Sequence, residues 1–433
     1  MPTIVIAALL LAADLRVAPF RADATPDMGE PLIWVTPVTK VLDPLYAKGV
    51  VVESKGKRYV MCAMDWCGVS GRTHRMLREA LAKGAKTKLE YVTLHTVHQH
   101  SAPYIDGDGY ALMSKLLPKP PLMMSDTYLG KLANNLTQAA SAATFSDIDQ
   151  IGLGEARVDR VASARRIKVD GKLVIRFSTA GKDPAMAALP EEPIDPMLRT
   201  LTFASKGKPV ARLHYYATHP QTFCCDGRVS GDMLNAAREE FEKQDCGALQ
   251  INFDGAGGNV TVGKYNDGSD QARNALAERL RNGMSASAAS TKWLPAGEVT
   301  WRTEGVRLPH RPDLAVQQDI LKNPDKRTAI ELYRAAIAVS FANRKDPVLL
   351  TSMQIGKDVR ILHMPGEPLL EFQNFAREQA ANVLVAGYGD LQTGYLCPDI
   401  SYQEGGYEPS ASNAGPGTEA ILKTAIQKLL RVR

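Results

Sequence analysis

The chain has no Lys/Arg block, no Cys-x-x-Cys pair, no internal repeat and no apolar run long enough to cross a bilayer. Each absence excludes something. Without clustered cations, and with a formal charge of only +5 over 433 residues, nucleic acid is not the main partner. The longest apolar run, residues 4–13, falls far short of the ~20 residues a membrane-spanning helix needs. It has the length of a signal-peptide core and ends in the small pair Ala12-Ala13, but lacks a Lys/Arg-bearing start. The sequence therefore predicts a leader over 1–13, a mature domain over 14–433, and a secreted or periplasmic protein. If the run is a first strand instead, the location is cytoplasmic. Six cysteines are too sparse for a disulfide scaffold and show no thiolate-zinc spacing. The helical His-Glu-x-x-His motif and the Gly-Lys-Ser/Thr phosphate loop are both missing, which excludes a zincin helix and a P-loop.

What is present is a soluble-type composition, 45% hydrophobic and 23% charged, with strand-like and helix-like segments in alternation. Strands are predicted at 50–53, 58–63, 91–94, 151–158, 198–203, 209–216, 249–253, 349–355, 359–362 and 383–386. Helices are predicted at 72–83, 127–143, 232–242, 270–286, 329–343, 368–381 and 418–430, with Pro368 at a helix start. This pattern predicts a single large α/β (α+β) domain with a mixed β-sheet core flanked by helices. A loop at 115–124, rich in Pro, Leu and Met, presents apolar residues to a membrane or lipid tail. The oligomeric state is not fixed by the sequence.

Three fragments carry chemistry: His98-Gln99-His100-Ser101-Ala102-Pro103, Ala217-Thr218-His219-Pro220 and Pro365-Gly366-Glu367-Pro368. Each puts a metal-type ligand beside turn residues at the end of a predicted strand, where open α/β sheets build their sites. His98 and His100 are two apart, so on an extended segment both face one cavity. One of them, with His219 and Glu367, makes a His₂Glu set that leaves a position for water, as catalytic zinc does. Zinc lowers the pKa of such water to about 7, which points to a hydrolase. The glycine-rich stretch 255–261 offers backbone N–H groups to an oxyanion. In 394–408, Tyr395, Tyr402 and Tyr407 supply phenols as hydrogen-bond donors or as a zinc ligand. His95 reads as packed in its strand.

Together these fragments resemble the catalytic domain of the neutral ceramidases, zinc amidases that split ceramide into sphingosine and fatty acid. That family carries a His-x-His-Ser-x-Pro segment, a later Ala-x-His-Pro, a Pro-Gly-Glu-Pro-type turn and a Tyr…Tyr-Glu loop, in the order found here. The resemblance runs from about Arg16 to the end, and 21–26 is similar to the family's first strand and turn. It implies zinc held by His98, His219, Glu367 and Tyr395. It also implies that His100 lines the site, that Tyr407 holds the carbonyl oxygen, and that Arg165 is a site arginine. Thr261 stands where the family has a serine implicated in catalysis, and Asn259 where it has an acid. The family's C-terminal immunoglobulin-like domain is not expected here, since the helix predicted at 418–430 ends the sequence given. The expected activity is zinc-dependent hydrolysis of an amide, of ceramide or another N-acyl lipid. The alternative is a non-ceramide amide, ester or lactone, which Thr261 favours.

Overall fold

The computed structural model describes residues 15–431; the leader predicted over 1–13 lies outside the described residues. Three larger sheets form the frame. The first is built from Leu15–Asp23, Tyr46–Ser54, Lys57–Met64, Val92–Thr96 and the short Ser146–Asp147. Its strands are apolar on both faces, and successive residues go opposite ways as the pleat requires. Val51, Val60, Cys62 and Met64 face a core shared with the helices Gly71–Ala85, Asp126–Ala142 and Ala329–Ala342. Val50, Val52, Met61 and Ala63 face a second core shared with the other two sheets. The predicted α/β class with mixed sheets flanked by helices is therefore present, distributed over three sheets instead of one.

The second sheet contains Gln150–Arg157, Met197–Ser205, Lys208–Tyr216 and Leu249–Asp254, with Lys292–Pro295 at its edge. The Lys206-Gly207 hairpin turn has both residues at positive φ, 51° and 76°, the geometry that matches strand twist in a two-residue loop. The third sheet contains Val299–Val306, Val348–Ile355, Val359–His363 and Val383–Ala386. The helices Leu370–Gln379 and Thr418–Leu430 close its outer face through Phe372, Leu422 and Ile426.

One feature of the topology places the site. Each large sheet contains one parallel pair: 60–64 with 92–96, 211–216 with 249–254, and 360–363 with 383–386. All three pairs end at one place. The N–H of Thr96 donates to Tyr388 O (2.9 Å) and that of Gly387 to Asp254 O (2.8 Å), tying the first sheet to the third and the third to the second.

The predicted helix 368–381 needs correction. Helix begins only at Leu370, and Pro368 belongs to a two-residue strand, Glu367–Pro368, parallel to Tyr395–Leu396. Proline has no N–H to give such a pairing, but its carbonyl accepts from Gly258 N–H at 2.9 Å. In the 115–124 stretch Leu116 and Leu122 are exposed, while Leu117 and Met124 are buried under the loop. No helix among the described residues is long and apolar enough to cross a membrane. Cys224 and Cys225 are joined to each other, and the other four cysteines are free.

Buried histidines make the fold acid-sensitive. Burial depresses His74 and His214 to about 4, against about 6.5 in an unfolded chain. Between those values the unfolded state binds more protons, so stability falls as pH drops from 6.5 toward 4. The slope approaches about 1.4 kcal/mol per pH unit for each histidine. Asp106, which burial raises to about 6, works the other way below that pH, so urea midpoints should decline most clearly from pH 7 to pH 6; a rise over that unit would contradict the burial of these rings.

Candidate functional site

His98 follows the first parallel pair, His219 the second, and Glu367 the third. His98 and His100 do converge, with perpendicular rings 4.9 Å apart, but not by strand alternation. The segment is irregular, and His98 adopts φ 60°. Tyr388, at φ 58°, stacks its ring on His98 at 4.6 Å and 27°. Left-handed backbone at a non-glycine residue costs about 1–3 kcal/mol and persists only where surrounding contacts impose it. Here the backbone bonds Thr96 N–H to Tyr388 O and His98 N–H to Trp66 O impose it.

The hydrogen bonds of the ring nitrogens fix their tautomers. His98 Nδ1 lies 2.7 Å from Cys67 O. His219 Nδ1 lies 2.8 Å from Gly257 O and 3.1 Å from Val260 O. A carbonyl only accepts, so both Nδ1 atoms carry protons, and each Nε2 faces the centre, with a lone pair to offer whenever its ring is neutral. Both face Glu367 Oε2, at 3.2 Å from His98 and 3.3 Å from His219. Yet Glu367 Oε2 is buried with no hydrogen bond of acceptable geometry. Three electron-pair donors converge, their atoms within 4.8 Å of one another. A buried set of this kind fits a cation shared between them. Two imidazoles and a carboxylate suit zinc.

Tyr395 is brought in by the strand pair that sets Glu367 opposite it. Its Oη lies 3.2 Å from His219 Nε2 and accepts from Arg165 Nη1 at 2.9 Å. Arg165 is buried and also donates to Gly258 O at 3.2 Å. Burial works against its charge, but Tyr395 and Glu408 outweigh it and raise its pKa. Burial drives the Tyr395 phenol well above its ordinary value although Arg165 pulls it down. Burial likewise opposes a charged His98, but Glu367 prevails and holds it well above the ordinary histidine range. Burial and Arg165 lower His219 to about 3. His100 is kept neutral by burial and by the neighbouring His98 and His219, and neither of its ring nitrogens has a hydrogen-bond partner. For Glu367 burial would raise the carboxyl, yet the two histidines hold it well below the carboxylate range.

A cavity of about 210 Å³ opens above these groups, lined by His98, His100, Glu367, Tyr395 and Tyr407. Tyr407 meets Tyr395 edge to face at 5.7 Å, and the Arg165 guanidinium lies 5.6 Å from its ring. Thr261 is placed differently. It is buried, its hydroxyl accepts from Gly263 N–H at 3.1 Å, and it does not line the cavity. Most N–H groups of the glycine-rich stretch are turned to the protein itself and not to an oxyanion. The N–H groups of Gly255, Ala256, Gly257, Gly258 and Val260 are all bonded within the protein. The stretch serves through its carbonyls, which orient His219 and Arg165. Asn259 caps the helix Leu370–Gln379: its Oδ1 accepts from Leu370 N–H and its Nδ2 donates to Glu371. An aspartate there would set like charge against Glu371.

Tyr402, read as a site phenol, bonds to Ala414 O at 2.9 Å and packs beside Tyr395. His95 is buried in its strand, bonded to Gly387 O and His363. Tyr388 was not legible: Gly387-Tyr388-Gly389 reads as a bare turn, and only its position directly after a strand hinted at a site.

No family profile and no curated protein sequence matches the chain. Two solved structures share its fold. The crystal structure of neutral ceramidase from Pseudomonas aeruginosa superposes with a TM-score of 0.73 at 16% identity, covering 96% of this chain and 74% of that one. A ceramidase complexed with C2 gives a TM-score of 0.70 at 15% identity, covering 96% and 75%.

Two substitutions separate ligand from support. His98→Ala should lose most bound zinc when the purified protein is analysed by mass spectrometry. Full occupancy would remove His98 from the ligand set. Tyr388→Ala should weaken zinc binding about 10- to 100-fold through loss of the ring that orients His98, while Tyr388→Phe keeps it. Equal zinc affinity in both variants would contradict that role.

Proposed function

We propose that the chain is a zinc-dependent hydrolase that cleaves an amide bond of ceramide or another N-acyl lipid. The carrying observation is the convergence of His98 Nε2, His219 Nε2 and Glu367 Oε2 with no hydrogen bond to satisfy the carboxylate oxygen. The fold shared with the two ceramidase structures supports the same reading. Tyr395 completes the ligand set, and Arg165 beside it offsets the negative charge of a phenolate.

Zinc bound there supplies Lewis acidity to a substrate carbonyl and to water. The remaining work falls to this chain's own side chains. His100 is neutral with both ring nitrogens unbonded, so it can take a proton from attacking water and return one to the leaving nitrogen. Tyr407, at the cavity wall, donates a hydrogen bond to the carbonyl oxygen as charge develops on it. Thr261 has its hydroxyl engaged with Gly263 and pairs with Ser163 across a short strand bridge. In this mechanism it holds the floor of the site and does not react.

The cavity is small against a two-chain lipid, since ligand pockets for drug-sized molecules run to about 300–1,000 Å³. That size favours, as a second reading, a smaller amide, ester or lactone.

The zinc-loaded protein should release fatty acid from a short-chain ceramide, and a chelator should abolish release. His100→Ala should keep its zinc and lose about 10²- to 10⁴-fold in kcat. A folded, zinc-loaded sample inert toward ceramides and simple N-acyl amides alike would overturn the proposal.

A further inference from the structure

Around the cavity mouth the charges are unevenly matched. Arg311 is paired with Asp313 and also donates to Ser410 O. Glu331 is consumed by the cap of its own helix, accepting from Thr328 N–H and hydroxyl at 2.8 Å each. Arg334, on the same helix and also lining the cavity, has no carboxylate partner among the described residues. Its guanidinium lies 4.6 Å from the Trp34 ring and donates through Nη2 to Tyr407 Oη at 3.1 Å. Nε and Nη1 find no protein acceptor among the described residues.

The surface it lies on is held at a cost. Trp34 and Val35 both adopt positive φ, 59° and 56°, and for a β-branched residue that is a true outlier. The strained turn sets Trp34 parallel to Tyr104 at 6.4 Å, so that indole, phenol and guanidinium share one wall of the cavity. Strain of this kind gathers at ligand clamps. A guanidinium steadied on an aromatic face, with donors to spare, is suited to a planar carboxylate. Ile33, Ile320 and Ile337 supply apolar surface beside it.

We propose that Arg334, braced by Trp34 and Tyr407, binds a carboxylate on the substrate, so that the preferred amide is an N-acyl amino acid instead of a neutral ceramide. This rests on the amide-hydrolase reading for turnover but not for binding, so two measurements keep them apart.

In the first, calorimetry compares N-lauroylglycine with its uncharged methyl ester on the full chain without metal. The acid should bind at least about 10-fold tighter, as loss of one charged hydrogen-bonded pair implies. Arg334→Met, which keeps an apolar stem over Trp34, should close that gap, and Arg334→Lys should restore part of it. Equal binding of acid and ester, or equal weakening of both in Arg334→Met, overturns the proposal. In the second, the zinc-loaded protein is assayed on the same pair. Turnover favouring the acid, with kcat/KM for the acid alone falling about 10- to 100-fold in Arg334→Met, supports both ideas. Charge-dependent binding without turnover of either compound, in a zinc-loaded sample equally inert toward ceramides, sinks the hydrolase reading and leaves the carboxylate subsite standing. Equal turnover of both, unchanged in Arg334→Met, sinks the subsite and leaves the hydrolase.

Discussion

Two main-chain hydrogen bonds, Thr96 N–H to Tyr388 O and Gly387 N–H to Asp254 O, hold the ends of three sheets together. Each sheet is internally complete, with its own ladder and its own apolar faces. What the sheets lack separately is a reason for their carboxyl ends to meet. The bonds supply it, and every candidate ligand from the loops that follow depends on that closure. Its energetic scale is modest, about 1 kcal/mol net per bond, but breaking one leaves a buried N–H or C=O unpaired at a larger cost. The second core, which interlocks residues of all three sheets, supplies the bulk of the cohesion. The bonds supply the register.

Within that frame the site is ordered by acceptors. Cys67 O and Gly257 O each take one imidazole proton, and this decides which nitrogen of each ring faces the centre. The backbone strain at His98 and Tyr388 has the same origin: two rings must stack where a relaxed chain would not place them. Arg166 reaches from the neighbouring hairpin to Glu404 and Glu408, fastening the tyrosine loop so that Tyr395 stays beside Arg165.

Much of this was legible in the residues. The strand 383–386 and the helix 418–430 match the observed Val383–Ala386 and Thr418–Leu430, because a short valine-rich apolar run and an apolar stripe at helical spacing are each plain signals. The three ligand-bearing fragments stood out because histidine or glutamate beside proline at a strand end is uncommon. Pro368 misled because a proline after a glutamate looks like a helix start, and nothing local reveals a parallel partner nearly thirty residues on. The 255–261 stretch was read for its N–H groups when its carbonyls do the work; glycine content shows close approach but not polarity. Trp34 and Arg334 carried no signal, and Tyr388 only its place after a strand, since their importance lies in contacts between distant segments.

The candidate ligand positions 98, 219, 367 and 395 span most of the chain, and each arrives on a different segment, the last two on paired short strands. No contiguous fragment contains enough of them to bind an ion tightly. A growing chain leaving the ribosome therefore cannot be nucleated by metal in the way a zinc finger is. On the proposed zinc-hydrolase reading the scaffold assembles on hydrophobic burial and strand pairing, and the ion comes last, through the cavity that Trp34 and Arg334 line. On that reading, folding and metal supply are separate events, and a cell starved of zinc would accumulate this protein folded and idle.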